Sequence, residues 1–499
     1  MFFRRRHTAP VQKEDDLLRS LGYEPELTRR MGAFGNFAVS FSVISVLSGC
    51  MTLFGFGLVT GGPAVMMWGW VGVGIAVLLV GMALAEVTSV YPTSGGLYYM
   101  AHRLGGPRWG WATGWLNLLG LIGGIAGIDY GAASFIAAFA GLEWGVETTP
   151  GLVLGIFAVV LVVHAWVNLG GTRVVTVLNS VSAWWHLLGV AVIVGVLWLV
   201  PSHHHSVGFV FGHFANDSGW SNPVYVSALG LLLAQYTYSG YDASAHLSEE
   251  TTNAQIAAPR GIVRSIWVSL LAGFVLLAGL LFAMQDYGAT AGATVPPARI
   301  FLDAVGESGA KALLLIVIGA QLFCGSAETA AASRMIYAFS RDGALPGSAT
   351  WRKVSGNRTP ANAVWLAVAV AFLLALPSMW STAAYGAVTA VNVVGMTPAY
   401  AIPVFLRLRQ GKSWRPGPWN LGRWGRPVGV LAVAWVALVT VLVCLPQTSP
   451  VTAETFNYAP VTLLVVLLLS ALWWRMAGRR YQVPVVNDPR LAAFEEQIV

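Results

Sequence analysis

The sequence predicts an all-α polytopic membrane protein of twelve transmembrane helices, on three observations: composition, the recurrence of apolar runs, and the placement of basic residues. Of 499 residues, 56% are hydrophobic and 10% charged, with a mean hydropathy of +0.65. That apolar surface exceeds what a soluble domain of this length buries. Twelve apolar runs of about 20 residues, each long enough to cross a hydrocarbon core as a helix, follow one another. Numbered span 1 to span 12, they fall at roughly 34–60, 65–91, 108–140, 151–169, 172–200, 223–249, 262–286, 310–340, 361–377, 381–406, 428–446 and 456–476. They are continuous stretches rich in Leu, Val, Ala and Gly, without the alternation of a transmembrane barrel.

Basic residues near span ends stay on the cytoplasmic side, so their positions give the orientation. The arm before span 1 carries Arg4, Arg5, Arg6, Lys13, Arg19, Arg29 and Arg30. Every second connection afterwards is basic: Arg103 and Arg108; Arg173; Arg260 and Arg264; Arg341, Arg352, Lys353 and Arg358; the cluster from Arg407 to Arg426; then Arg475, Arg479, Arg480 and Arg490. The alternate connections hold only Arg299 and Lys311. Both termini are therefore expected in the cytoplasm, and the net charge of +7 is a topology signal that invokes no nucleic acid.

The first thirty residues show neither an apolar h-region nor a small-residue cleavage site, so span 1 is expected to serve as the insertion signal. Cys50, Cys324 and Cys444 all lie within spans and offer no disulfide framework or metal site. The run His203-His204-His205 cannot turn all its rings to one ion and has no Cys/His partners at metal-binding spacing, so it reads as a polar loop. No phosphate-binding loop of the Walker type occurs. Neither metal nor cofactor is expected.

Spans 1 and 6 carry matching interruptions: Ser48-Gly49 within "FSVISVLSGCMTLFGFGL", and Ser239-Gly240 within "YTYSGYDASAH". Paired Gly-interrupted spans in corresponding halves point to inverted repeats with a binding site where both helices unwind. Unwinding frees backbone groups that cost several kcal/mol each if left unsatisfied in lipid. A half-helix N-terminus attracts a carboxylate and a half-helix C-terminus an ammonium, and an amino acid presents both. The alternative, that each glycine only permits close helix packing, stays open.

Further motifs stand in order: Gly61-Gly62-Pro63 after span 1, "EVTSVYPTSGGLYYMAHRLGG" from Glu86, "GIDYGAA" in span 3, "SAWWHLLG" in span 5, "YSGYDASAHLSEETTNAQIAAPRGI" from Tyr238, and "SRMIYAFSRDGALPG" closing span 8. Over about residues 25–480 the chain resembles the amino acid–polyamine–organocation (APC) superfamily, and within it the amino acid/choline transporter branch that includes 4-aminobutyrate and choline permeases. The resemblance implies a LeuT-like 5+5 inverted-repeat fold with broken helices 1 and 6 and two peripheral helices. The chain then divides into a cytoplasmic arm 1–32, a ten-helix core 33–408, a basic loop 409–427, two peripheral helices 428–477 and a cytoplasmic tail 478–499. One departure is plain: the first glycine of the family's Gly-Ser-Gly signature is Leu47.

By the same resemblance, amides around Ser48, Gly49 and Cys50 would receive a carboxylate, and carbonyls of Tyr236, Thr237 and Ser239 beside Gly240 an amine. Tyr236 takes the position of a substrate-covering gate, where a ring face near an ammonium contributes about 0.5–2 kcal/mol. Asp129 within span 3 is a functional candidate for an amine or a proton, or else a structural carboxylate. Asp242 follows the span 6 break and is expected to cap the restarting half-helix. His186 and Glu328 read jointly as proton-coupling candidates on the spans flanking span 1, and Glu249, Glu250, Arg260 and Arg341 as an inner gate or as solvated charges.

The leading expectation is a secondary transporter of the cytoplasmic membrane, moving an amino acid or an amine such as 4-aminobutyrate by alternating access, with a proton as coupling ion or by exchange. Spans 1, 2, 6 and 7 would rock against spans 3, 4, 8 and 9. The alternatives are a choline or polyamine carrier and a non-transporting nutrient sensor. No nucleophile–base or metal constellation supports an enzyme.

Overall fold

The computed structural model of the chain describes residues 8–380 and 382–484. Residues 1–7 of the arm and 485–499 of the tail, with Arg4, Arg5, Arg6 and Arg490 of the charge pattern, lie outside them. Among the described residues every regular element is a helix, and the β contacts are two isolated bridges, Met31 to Thr251 and Thr60 to Asn216.

Eleven helices among the described residues are long and apolar enough to cross a membrane. They coincide with the expected spans apart from span 6, whose longest piece, Pro223–Thr237, has 15 residues. Several begin with proline in the first turn, where its missing N–H costs nothing: Gly62–Val90, Pro107–Trp144, Pro150–Leu169 and Pro223–Thr237. Side chains complete some of these starts, Thr149 accepting from the Leu152 amide and Asn222 from those of Val224 and Tyr225. Span 7 begins earlier than expected, at Ala254, with Pro259 inside its helix. Span 8 is the end of a longer helix, Pro296–Arg341, bent at Gly306 where φ is 71°. Span 10 extends to Gln410 and span 11 begins at Gly425, which shortens the loop expected over 409–427.

Burial orders the helices from centre to rim. The span 1 window Ala33–Thr52 is 89% buried and that of Ala459–Arg480 only 11%, so the last helix is peripheral. Spans 4 and 5 expose Trp166, Trp184, Leu188 and Trp198, as lipid-facing helices do. Span 1 packs on span 6, span 2 on span 7, and span 3 on span 8, each pair five spans apart. Span 3 also packs on span 10, and span 8 correspondingly on span 5. A two-fold relation between two five-helix repeats produces this pairing, since equivalent elements meet across the axis.

Candidate functional site

Span 6 unwinds between Thr237 and Ala243 and continues as Ala243–His246 and Ser248–Glu250. Gly240 takes φ 89°, and a Cβ there would lie 2.1 Å from Val43 Cγ1 of span 1, so glycine is required twice over. Its amide donates to Tyr400 Oη at 2.9 Å, and that hydroxyl donates to Asp242 Oδ1 at 3.0 Å. Asp242 stands at the N-cap position yet forms no capping bond, contrary to expectation. Its other oxygen takes His246 Nε2 at 3.1 Å and Asn117 Nδ2 at 3.2 Å, while Ser40 of span 1 accepts from the Ser244 amide at 2.9 Å. A neighbouring helix supplies the cap, leaving the carboxylate to tie span 6 to spans 3 and 10.

In span 1 the break falls at Ser45 (φ 31°, ψ 86°), three residues before the expected Ser48-Gly49. His186 holds it: Nδ1 donates to the Ser182 carbonyl at 2.8 Å, and Nε2 lies 2.6 Å from Ser45 Oγ. Cys324 Sγ donates to the freed Val43 carbonyl at 3.2 Å. Ser48, Gly49 and Cys50 are helical within Val46–Thr52, and the amides of Ser48 and Gly49 already bond to the Ser45 carbonyl at 2.8 and 2.9 Å. Gly49 instead brings the two broken spans together, since a Cβ there would lie 2.5 Å from Thr237 Oγ1 and 2.8 Å from Thr237 Cα.

Between the breaks lies a cavity of about 10 Å³, room for a single water, lined among others by Ser48, Gly49, Thr237, Ser239, Glu328 and Asn392. Glu328 is buried, and both its carboxylate oxygens lack a hydrogen-bond partner among the described residues. Gly124 of span 3 gives it room, for a Cβ there would approach Oε1 to 2.4 Å. Asn392 accepts from Ser239 Oγ at 2.8 Å and donates to the Gly120 carbonyl at 2.9 Å. No lysine or arginine lines this cavity.

Tyr236 borders both this cavity and a vestibule of about 340 Å³ at the end away from the basic connections. A second vestibule, of about 290 Å³, reaches Tyr130, Gly131 and Tyr385. Asp129 is not at the cavity; it turns to His164 of span 4, whose Nδ1 lies 2.9 Å from its Oδ2. Nor are His186 and Glu328 brought together: the histidine serves the Ser45 break while the glutamate faces Gly124.

The basic end is sealed. Arg341 bonds to both Glu249 oxygens at 3.0 and 3.2 Å, and the Ser94 amide donates to the same carboxylate. Glu250 pairs with Arg334 at 2.7 Å, with Thr172 donating to it at 2.5 Å. Arg260 is exposed and forms no ion pair among the described residues. Tyr23 of the arm and Tyr98 both donate to Asp342, at 2.8 and 3.0 Å, and Arg341 lies 3.8 Å over the Tyr23 ring. Sequence reasoning missed Ser45, His164, Arg334 and Asn392. The signal that singled out Asp129, a polar or ionisable group within an apolar run, was present at the last three.

Two broken helices meeting over a buried carboxylate, with vestibules at one end and ion pairs closing the other, are the parts of a membrane transporter. The sequence pattern of the amino acid permease family matches residues 34–468, and the chain belongs to that family, within the APC superfamily and its LeuT-like fold. It is 39% identical over 487 residues to the amino-acid permease BAT1 of Arabidopsis thaliana, covering 93% of this chain and 94% of the relative. Identity to the BAT1 homolog of Oryza sativa subsp. japonica is 39% over 494 residues, 94% of this chain and 95% of the relative. The GABA-specific permease of Saccharomyces cerevisiae is 30% identical over 486 residues, 94% of this chain and 85% of the relative. These relatives are permeases, not enzymes.

Proposed function

We propose that the chain is a secondary active transporter of the cytoplasmic membrane, carrying an amino acid or an amino-acid-like amine such as 4-aminobutyrate by alternating access, with protons as the coupling ion. Counting the broken span 6 as a twelfth crossing returns both termini to one side, and the basic connections favour the cytoplasm for it. The observation that carries the reading is Glu328. An unpartnered carboxylate at a cavity without cationic side chains requires a cation to neutralise it, and a substrate ammonium and a proton can each do so. Alternation between the two couples them: substrate bound, the carboxylate is ionised; site empty, it is protonated. Ser239, Gly240, Thr237 and Asn392 would orient the amine, the half-helix containing Ser48, Gly49 and Cys50 would face the substrate's other end, and Tyr236 would close over it from the vestibule. Glu249–Arg341 and Glu250–Arg334 would form the inner gate. The name of the yeast relative supports the choice of 4-aminobutyrate.

A second reading rests on a specific observation. The Ser48 and Gly49 amides are taken by the Ser45 carbonyl and no cation lines the cavity, so an organic cation such as choline or a polyamine needs nothing that the site lacks. A thermal-shift panel on the detergent-purified chain with amino acids, 4-aminobutyrate, choline and polyamines separates the two, because a ligand that binds only the folded state raises its melting temperature. Stabilisation by a carboxylate-bearing amine, lost in Glu328→Gln, is the expected result. Stabilisation by choline or polyamines alone selects the second reading, and a full response in Glu328→Gln removes Glu328 from the site.

A further inference from the structure

Asp129 and His164 form a buried pair that the reading above leaves unused. Their side chains are 0% and 3% exposed, and His164 Nδ1 lies 2.9 Å from Asp129 Oδ2. With the carboxylate accepting, Nδ1 carries the hydrogen. Each group then keeps one polar atom, Asp129 Oδ1 and His164 Nε2, without a hydrogen-bond partner among the described residues. A pair serving only to join spans 3 and 4 has no need of two unsatisfied outer atoms in a dry interior.

Its position relates it to Glu328. Spans 3 and 8 each admit a carboxylate of the other through a glycine: a Cβ on Gly124 would come within 2.4 Å of Glu328 Oε1, and one on Gly325 within 1.7 Å of Asp129 Oδ1 and 2.7 Å of His164 Cε1. Gly325 and Glu328 are three residues apart on one helix, a rise of about 4.5 Å. The titratable groups facing Asp129 are Glu328 and Cys324 on span 8 and Tyr236 on span 6; Tyr130 follows it on span 3 and packs on Tyr385 of span 10, and Asp242 of span 6 lies on the far side, against Glu328. No arginine or lysine among the described residues bonds to either member. The vestibule of about 290 Å³ reaches Tyr130 and Gly131, the residues that follow Asp129 in span 3.

We propose that Asp129 and His164 together hold a second transported proton, taken at His164 Nε2 and exchanged in step with the charge on Glu328. The inference rests on the reading of Glu328 as the coupling carboxylate. A hydronium ion entering from the vestibule gives up one proton, the Nε2–H bond forms, and Nδ1–H stays on Asp129. The pair passes from net −1 to a neutral imidazolium–carboxylate, and release reverses the step. Two acidic sites this close repel when both are ionised, which links the charge on the pair to the charge on Glu328.

The test uses His164→Asn, whose amide nitrogen can still donate to Asp129 but cannot change charge. Potentiometric titration of the full-length, detergent-purified chain from pH 8 to pH 5 should show the variant taking up one proton fewer than the parent. In proteoliposomes with labelled 4-aminobutyrate, the variant should lose uptake driven by a pH gradient out of proportion to its counterflow, and its proton-to-substrate ratio should fall by one. An unchanged proton count, or an unchanged ratio, overturns the proposal and leaves the pair a helix tie. If His164→Asn does not fold, His164→Gln, which likewise cannot change charge, gives the same titration readout. Should the parent move no 4-aminobutyrate, the substrate assignment fails while the titration still decides the pair.

Discussion

Single residues set how closely the broken spans approach. Gly49 was legible as one of a pair of interruptions, but its role is contact, not unwinding, because the unwound residue is Ser45. Ser45 carries no mark in the sequence: a serine in a span is common, and its backbone conformation is supported by side chains arriving from other spans, His186 on its hydroxyl and Cys324 on the freed Val43 carbonyl. Replacing Gly49 by Val would drive a branched side chain into the Thr237 backbone, so this variant should be destabilised by about 1–3 kcal/mol from overpacking, read as a lower melting temperature. It should also fail to bind any ligand of the panel, since spans 1 and 6 could no longer meet. A Gly49→Val protein with the parent's melting temperature and ligand response would contradict this account of the contact.

Elements meet at the basic end through two ion pairs that behave differently from surface pairs. Arg334 and Glu250 are 1% and 0% exposed, and this buried pair ties the end of span 6 to span 8. The sequence grouped Glu249, Glu250, Arg260 and Arg341 near the ends of spans 6 and 8 without pairing them; only the facing of helices gives Arg341 to Glu249 and Arg334 to Glu250. Removing one partner of a buried pair leaves an uncompensated charge, a loss of about 3–5 kcal/mol. Arg334→Met should therefore lower the melting temperature sharply, and Arg334→Met with Glu250→Gln should recover most of the loss. A double variant no better than the single one would mean that the arginine acts through packing instead of charge.

At the scale of the whole molecule, described residues of the arm and of the tail meet at the basic end. The arm's Tyr23, Tyr98 of the helix Gly96–Gly105, and the Gln482 amide of the tail all bond to Asp342. Burial, opposed in part by Arg341 and the two tyrosine hydroxyls, raises its carboxyl from the ordinary 3.8 to about 6. A folded state that holds this proton more tightly than the unfolded chain is most stabilised below about pH 4, and loses that stability as pH rises through 6. Asp342→Asn, which keeps a carbonyl oxygen for the tyrosines, should match the parent's thermal stability near pH 4.5 and exceed it at pH 7.5, by on the order of 2 kcal/mol. A difference independent of pH would mean that Asp342 does not titrate in this range.

The sequence by itself determined the helices, their order and the two interrupted spans, because an apolar bilayer imposes length and composition on each segment separately. It also marked Glu328, Asp129 and the charges at the end of span 6, since an ionisable group in or beside an apolar run stands out wherever it faces. Tertiary structure alone decided the partners: Asp242 to Tyr400, Asn117 and His246, Asp129 to His164, Glu250 to Arg334, and Glu328 to none among the described residues. These choices depend on which faces of helices far apart in the chain come together, and on glycines at Gly49, Gly124, Gly240 and Gly325 that let them approach. Composition along one span carries no information about the face presented by another.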